Sequence, residues 1–152
     1  MDKMMMTKAI YFDMDGTIAN LYGVENWLEM IIARDATPYK EAKPLINLNS
    51  LARVLNRLQA QGYIIGIISW LAKGSTVEYD KAVTKAKVEW LETHLASVHF
   101  NEIHIVKYGT PKEETALNPR GILFDDEERN RNNWKGQAFD VDNIIEILKE
   151  VA

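Results

Sequence analysis

Short continuous apolar runs alternate along this chain with longer stretches in which apolar residues recur every three or four positions. The runs at residues 8–12 (KAIYF), 63–68 (YIIGII), 102–106 (EIHIV) and 121–124 (GILF) are rich in β-branched and aromatic side chains. Such runs predict strands covered by helices on both faces. Between them, Leu48, Leu51, Val54, Leu55 and Leu58 fall on one helical face, with Asn49 or Ser50 as N-cap and Gly62 as the stop. A second helix is expected over 77–95, with shorter ones over 127–134 and 143–151 and a small fifth strand over 137–140. The order predicts an α/β fold: a doubly wound, Rossmann-like parallel sheet of about five strands with right-handed crossovers and helices on both faces. Ligands bind such sheets beyond the carboxyl ends of the strands.

One segment breaks the alternation. Residues 18–46 are long for a strand-to-helix connection, and within 22–34 Val24, Trp27, Leu28, Ile31 and Ile32 sit at helical spacing. Thr37-Pro38 and Lys43-Pro44 then interrupt the pattern. Long connections in compact domains tend to be functional, so the segment reads as a small helical cap over the strand ends. The plainer alternative is a helix packed on the sheet edge. The whole of 1–152 reads as a single domain carrying that insertion.

Composition narrows the function. At 47% hydrophobic and 26% charged, the chain has the make-up of a soluble globular protein. Its net charge of -4 supplies no basic field for nucleic acid. There are no cysteines, which excludes disulfides, thiolate metal sites and a cysteine nucleophile and fits a cytoplasmic setting. The first residues, MDKMMMTK, lack the apolar core of a signal peptide, and the apolar run ending at Ile68 is too short to cross a bilayer.

The chemistry lies where the strands end. The first run leads into Asp13, Asp15 and Gly16, the second into Ser69 and Trp70, and the fourth into Asp125 and Asp126. Gly16 implies a turn straight after Asp15, letting the two carboxylates approach one point from different directions. Four acids together need compensating cations, and hard oxygen donors without cysteine or histidine favour Mg²⁺. A lysine near the third strand end adds positive charge: Lys107 follows the strand directly, while Lys112 follows Thr110-Pro111, a helix start. Helix-start signals favour Lys112. Carboxylates, Mg²⁺ and lysine form a setting for phosphoryl groups. Tyr22, Trp27 and Trp70 lie near the expected mouth and offer faces for a nucleobase. Trp90 and Trp134 read as core, Glu127, Glu128, Arg129 and Arg131 as a solvated helix face, and His94, His99 and His104 lack ligand spacing.

DMDGT after an apolar strand resembles the nucleophile motif of the haloacid dehalogenase superfamily of phosphohydrolases. IISW resembles its second motif, YGTPK offers the lysine of the third, and ILFDD resembles the acidic fourth, all in the family's order across residues 8–130. The DD form and the insertion after the first motif are also similar to small 5'-nucleotidases acting on deoxyribonucleotides. The resemblance implies a Mg²⁺-dependent phosphatase for a small phosphorylated substrate such as a nucleoside 5'-monophosphate. By that likeness Asp13 is the nucleophile and Asp15 the general acid and base. Ser69, Trp70, Gly16 and Lys112 are on the phosphate or substrate side, Asp13, Asp15, Asp125 and Asp126 are at the metal, and Asn130 braces the DD turn. The competing readings are a phosphatase of a phosphoprotein or nucleic-acid end, and a phosphate- or metal-binding module without turnover.

Overall fold

The computed structural model describes residues 7–152. Five parallel strands form one sheet in the order β5-β4-β1-β6-β7. These are β1 (Ala9–Phe12), β4 (Ile64–Trp70), β5 (Glu102–Val106), β6 (Ile122–Phe124) and β7 (Ala138–Phe139), while β2 (Ala19–Asn20) and β3 (Lys43–Pro44) pair separately as an antiparallel ribbon. The chain winds outward from β1 through β4 to β5, then returns across β1 to β6 and β7. This is the doubly wound α/β fold expected from the alternating pattern. The winding reverses at β1, so the crevice at its carboxyl end is the natural binding position.

Both faces of the sheet are covered. On one, Ile10, Phe12, Ile65, Ile67 and Phe124 pack with apolar residues of α3 (Leu48–Ala60), α4 (Val77–His94) and α7 (Ile144–Val151). On the other, Tyr11, Ile68 and Leu123 pack with Ala116 and Trp134, beside the short helices α5 (Lys112–Thr115) and α6 (Glu128–Asn133). This two-sided burial is why β1 is apolar at every position. Trp90 and Trp134 are core residues, and each indole N–H donates to a main-chain carbonyl, Ala42 at 2.7 Å and Gly121 at 2.8 Å.

Most element ends fall within a residue or so of the sequence reading, and two differences have a clear cause. The N-cap of α3 is Asn47, whose side chain accepts from Ser50 N–H at 3.0 Å. Asn49 and Ser50 lie inside the first turn, because the Asn-x-x-Ser spacing already satisfies an orphan donor one step earlier. Strand β4 runs on to Trp70, pairing with Val106, so Ser69 belongs to the strand itself. The stop at Gly62 is as expected: it takes φ +100, just past the last turn.

Residues 18–46 contain β2, a 3-10 turn (Leu21–Gly23), α1 (Trp27–Ile32), α2 (Thr37–Glu41) and β3. Leu21, Ala36 and Tyr39 from this segment pack against Tyr79, Val83 and Ala86 of α4, and Tyr79 Oη donates to Asp35 O at 2.9 Å. Helix α1 buries none of its residues although its sequence is WLEMII. No helix among the described residues is long and apolar enough to cross a membrane.

Candidate active site

Strand register assembles the acids. Phe12 lies opposite Phe124 in the β1–β6 ladder, so the residues that follow, Asp13 and Asp125, emerge side by side. Each remains tied to the sheet, Asp13 N–H to Phe124 O at 2.9 Å and Asp125 N–H to Phe139 O at 3.1 Å. Lys112 rises between them from the first turn of α5 and donates to Asp13 Oδ1 at 3.0 Å and Asp125 Oδ2 at 2.7 Å. Its side chain is buried, whereas Lys107 is exposed at the end of β5.

After Asp13 the chain turns tightly. Met14 O accepts from the N–H groups of Thr17, Ile18 and Ala19 at 2.9–3.0 Å. Gly16 takes φ +81, and a Cβ there would collide with the Asp126 carboxylate. Glycine is therefore required twice over, by the backbone angle and by the close approach of an acid from the neighbouring strand. The turn swings Asp15 away from Asp13 and brings Thr17 back, so that Thr17 Oγ1 donates to Asp13 Oδ2 at 3.1 Å.

Asp15 meets a second buried cation. Lys87, from the middle of α4, donates to Asp15 Oδ2 at 3.0 Å, Ser69 Oγ at 2.7 Å and Trp70 O at 2.8 Å. The Tyr39 ring of α2 lies 5.2 Å from the same ammonium. The sequence reading passed over Lys87, Thr17 and Tyr39. For Lys87 a signal existed: it occupies the apolar face of α4 set by Val83, Ala86, Trp90 and Leu91. A lysine on such a face needs a buried anion.

The acidic turn is braced. Asp125 Oδ1 accepts from Glu127 N–H at 2.9 Å, and Asn130 Nδ2 donates to Asp125 Oδ2 at 3.1 Å, as the resemblance implied. Arg131 departs from the solvated-face reading: its guanidinium donates to Asp125 O at 3.0 Å. Arg129 stays exposed, as that reading has it, with its guanidinium over the Trp70 ring at 4.8 Å. Arg131 faces inward because α6 begins directly at the acid pair and turns one side toward it. His104 pairs with Glu102 at 2.8 Å in a separate network away from the acids.

Burial and mutual repulsion dominate the electrostatics. Burial, reinforced by the Asp13 charge, lifts Asp125 to about 6. Burial and the hydrogen-bonded Asp13 lift Asp126 to about 8. Asp15 is also raised, chiefly by burial, with Lys87 pulling the other way. Burial opposes the charge on Lys112, yet Asp13 and Asp125 outweigh it and hold the ammonium above its ordinary range. Four carboxylates against two ammonium groups leave the ionised site short by two positive charges. One divalent cation would supply that charge. Asp13, Asp125 and Asp126 each offer an oxygen, all within 4.8 Å of one another. These hard oxygen donors fit Mg²⁺.

A cavity of about 330 Å³ opens from the acids toward the 18–46 segment. Tyr22, Trp27, Leu28, Ile31 and Ile32 line one wall and Trp70 another. Tyr22 and Trp27 form an edge-to-face pair at 4.9 Å. Trp70 is less free, because its N–H is held by Thr110 O at 2.8 Å and Arg129 and Lys112 lie over its ring.

No protein-family model and no curated protein matches the chain. Solved structures do resemble it. A D,D-heptose 1,7-bisphosphate phosphatase from Burkholderia thailandensis aligns with a TM-score of 0.56 at 14% identity, covering 95% of this chain and 98% of that one. The D,D-heptose 1,7-bisphosphate phosphatase from B. bronchiseptica, complexed with magnesium and phosphate, aligns at 0.52 and 11% identity over 96% and 100%. At such identities the likeness is one of fold: this chain has the doubly wound α/β architecture of those phosphatases.

Proposed function

We propose that the chain is a Mg²⁺-dependent phosphomonoesterase of the haloacid dehalogenase type, working through an aspartyl-phosphate on Asp13. The observation that carries this reading is the separation of two strand-end aspartates by a tight turn, each with its own buried lysine. A site that only bound phosphate would need neither a second, separately held acid nor a carboxylate aimed into the cavity. The DxDGT resemblance and the fold shared with a phosphatase complexed with magnesium and phosphate support it further.

In this mechanism an Asp13 oxygen attacks phosphorus as the bond to the leaving oxygen breaks. Asp15 gives its proton to that oxygen, then takes one from the water that cleaves the acyl phosphate, restoring both residues. Lys112 offsets charge on Asp13 and the phosphoryl group, while Ser69, which the resemblance places on the phosphate side, lies fully buried beside Lys87. Asp13, Asp125, Asp126 and the main-chain carbonyl of Asp15 would hold Mg²⁺, which supplies charge stabilisation of the transferring group when bound.

The 18–46 segment acts as a cap that reads the leaving group. Its wall of Tyr22, Trp27, Leu28 and Ile31 is aromatic and aliphatic, which suits a nucleoside better than a polyhydroxylated sugar. A nucleoside 5'-monophosphate is therefore the favoured substrate class. The test is hydrolysis of p-nitrophenyl phosphate with and without EDTA, followed by nucleotides, sugar phosphates and phosphopeptides. Hydrolysis that depends on Mg²⁺ and is best with nucleotides is expected. No hydrolysis of any phosphomonoester would overturn the reading, and a preference for phosphopeptides would overturn the nucleotide assignment.

A further inference from the structure

We infer that Lys87 is a positioning residue for proton transfer, holding Asp15 at the leaving oxygen; this rests on the phosphatase reading. An ammonium has three N–H donors. All three are committed, to Asp15 Oδ2, Ser69 Oγ and Trp70 O, at 3.0, 2.7 and 2.8 Å. The side chain is 1% exposed, so Lys87 has neither a free donor nor an open path to substrate. It acts through its partners.

Each partner gains a defined geometry. Among the described residues no other side chain hydrogen-bonds to the Asp15 carboxylate, so Lys87 alone sets its rotation, fixing Oδ2 and leaving Oδ1 for the proton. Ser69 Oγ accepts from Lys87. Ser69 is itself fully buried, so it serves as a fixed acceptor that anchors the ammonium inside the site. The carbonyl of Trp70 ties the ammonium to the end of β4, the 18-residue helix α4 carries its stem, and Tyr39 of the 18–46 segment covers it. Three elements thus fix one charge, and that charge fixes the acid. During the first step the Asp15 proton passes to the leaving oxygen as the phosphorus–oxygen bond breaks. During the second, Asp15 takes a proton from water as the Asp13–phosphorus bond breaks, giving alcohol and inorganic phosphate overall.

Leaving groups differ in their need for that proton. An alkoxide must be protonated as it departs, whereas p-nitrophenolate leaves as the anion. The informative quantity is kcat/KM, because it reports phosphoryl transfer to Asp13 and not the hydrolysis that follows. Lys87→Met removes the donors while keeping an unbranched side chain of similar length. General acid catalysis contributes about 10²–10⁴-fold, and a misplaced group forfeits about 10²-fold. Lys87→Met should therefore lower kcat/KM about 100-fold for an alkyl phosphomonoester and less than about tenfold for p-nitrophenyl phosphate. Lys87→Gln, which retains an amide donor, is measured alongside and should show the same selectivity at smaller amplitude; it serves alone if the methionine variant does not fold. An equal loss on both substrates in a folded variant, or no loss, would overturn the assignment. Wild-type protein inactive on both substrates would instead sink the phosphatase reading itself.

Discussion

Replacing Asp13 by asparagine should abolish turnover and change metal-free stability with a sign that depends on pH. The amide is nearly isosteric and its carbonyl can still accept from Lys112, so the substitution removes one charge and little shape. At an effective dielectric of 20, the lost attraction across the 3.0 Å Asp13–Lys112 pair is about 5.5 kcal/mol. Against it stand two repulsions, with Asp125 and Asp126, across no more than 4.8 Å, each about 3.5 kcal/mol or more when both partners are ionised. Above about pH 8, where Asp126 has lost its proton, the repulsions win by about 1–2 kcal/mol and Asp13→Asn should stabilise the metal-free protein. Near pH 5.5, with Asp126 protonated and Asp125 largely so, they fade and the same change should destabilise.

The sign for the wild type follows from the same two groups. Both titrate higher in the folded chain than the ordinary 3.8. The folded state therefore holds extra protons, and stability present below about pH 4 is lost as pH rises through about 6 and then about 8. Thermal melts of both proteins in EDTA at pH 5.5 and 8.5 test this, with 1 kcal/mol moving Tm by about 2–4 °C in a chain of this size. A shift of the same sign at both pH values would refute the electrostatic account. Turnover near the wild-type rate would refute Asp13 as nucleophile.

Three further outcomes are expected. Asp125→Ala should cost about 3 kcal/mol, as breaking a buried ion pair does, while Asp126→Asn should fold well; both should raise the Mg²⁺ concentration for half-maximal activity, read by melts and metal titration. Trp27→Ala should lower kcat/KM for a nucleotide by the roughly 1–3 kcal/mol of base stacking and spare p-nitrophenyl phosphate; equal losses on both would mark Trp27 as packing. Gly16→Ala should lose activity and about 1–3 kcal/mol of stability, through φ +81 and the Asp126 collision; a melt unchanged from wild type would refute that collision.

The sheet was legible because its signal is local: four apolar runs, each ending in a polar residue, are enough to define parallel strands and their functional ends. Asp13, Asp15, Ser69 and the DD pair were legible for the same reason, since each directly ends a run or follows one closely. Lys112 was a choice between two lysines, and Pro111 favoured it by marking a helix start. Lys87 was hidden because it lies 18 residues beyond Ser69 in sequence and is brought back by an entire helix. Periodicity identifies the apolar face of α4 but does not say which strand end that face meets. The inward turn of Arg131 was hidden too, because α6 is a short polar helix whose sequence gives no apolar face to orient it.

On the proposed mechanism, two aspartates separated by one residue take opposite tasks, which accounts for two lysines in the site rather than one. A nucleophile must remain ionised, whereas a general acid must be able to hold a proton. Lys112 hydrogen-bonds to two carboxylates, Asp13 and Asp125, so its charge is applied directly at the nucleophile's oxygen. Lys87 divides its donors between one carboxylate and two neutral oxygens, and Asp15 sits deep enough that burial outweighs its pull. The same side chain therefore serves different ends because its remaining acceptors differ. Each lysine comes from its own helix, α5 for one and α4 for the other, so the two aspartates are held from different sides. The tight turn at Gly16 makes this possible. By moving Asp15 out of line with Asp13, it gives each acid a separate cation and keeps both at the mouth of one cavity.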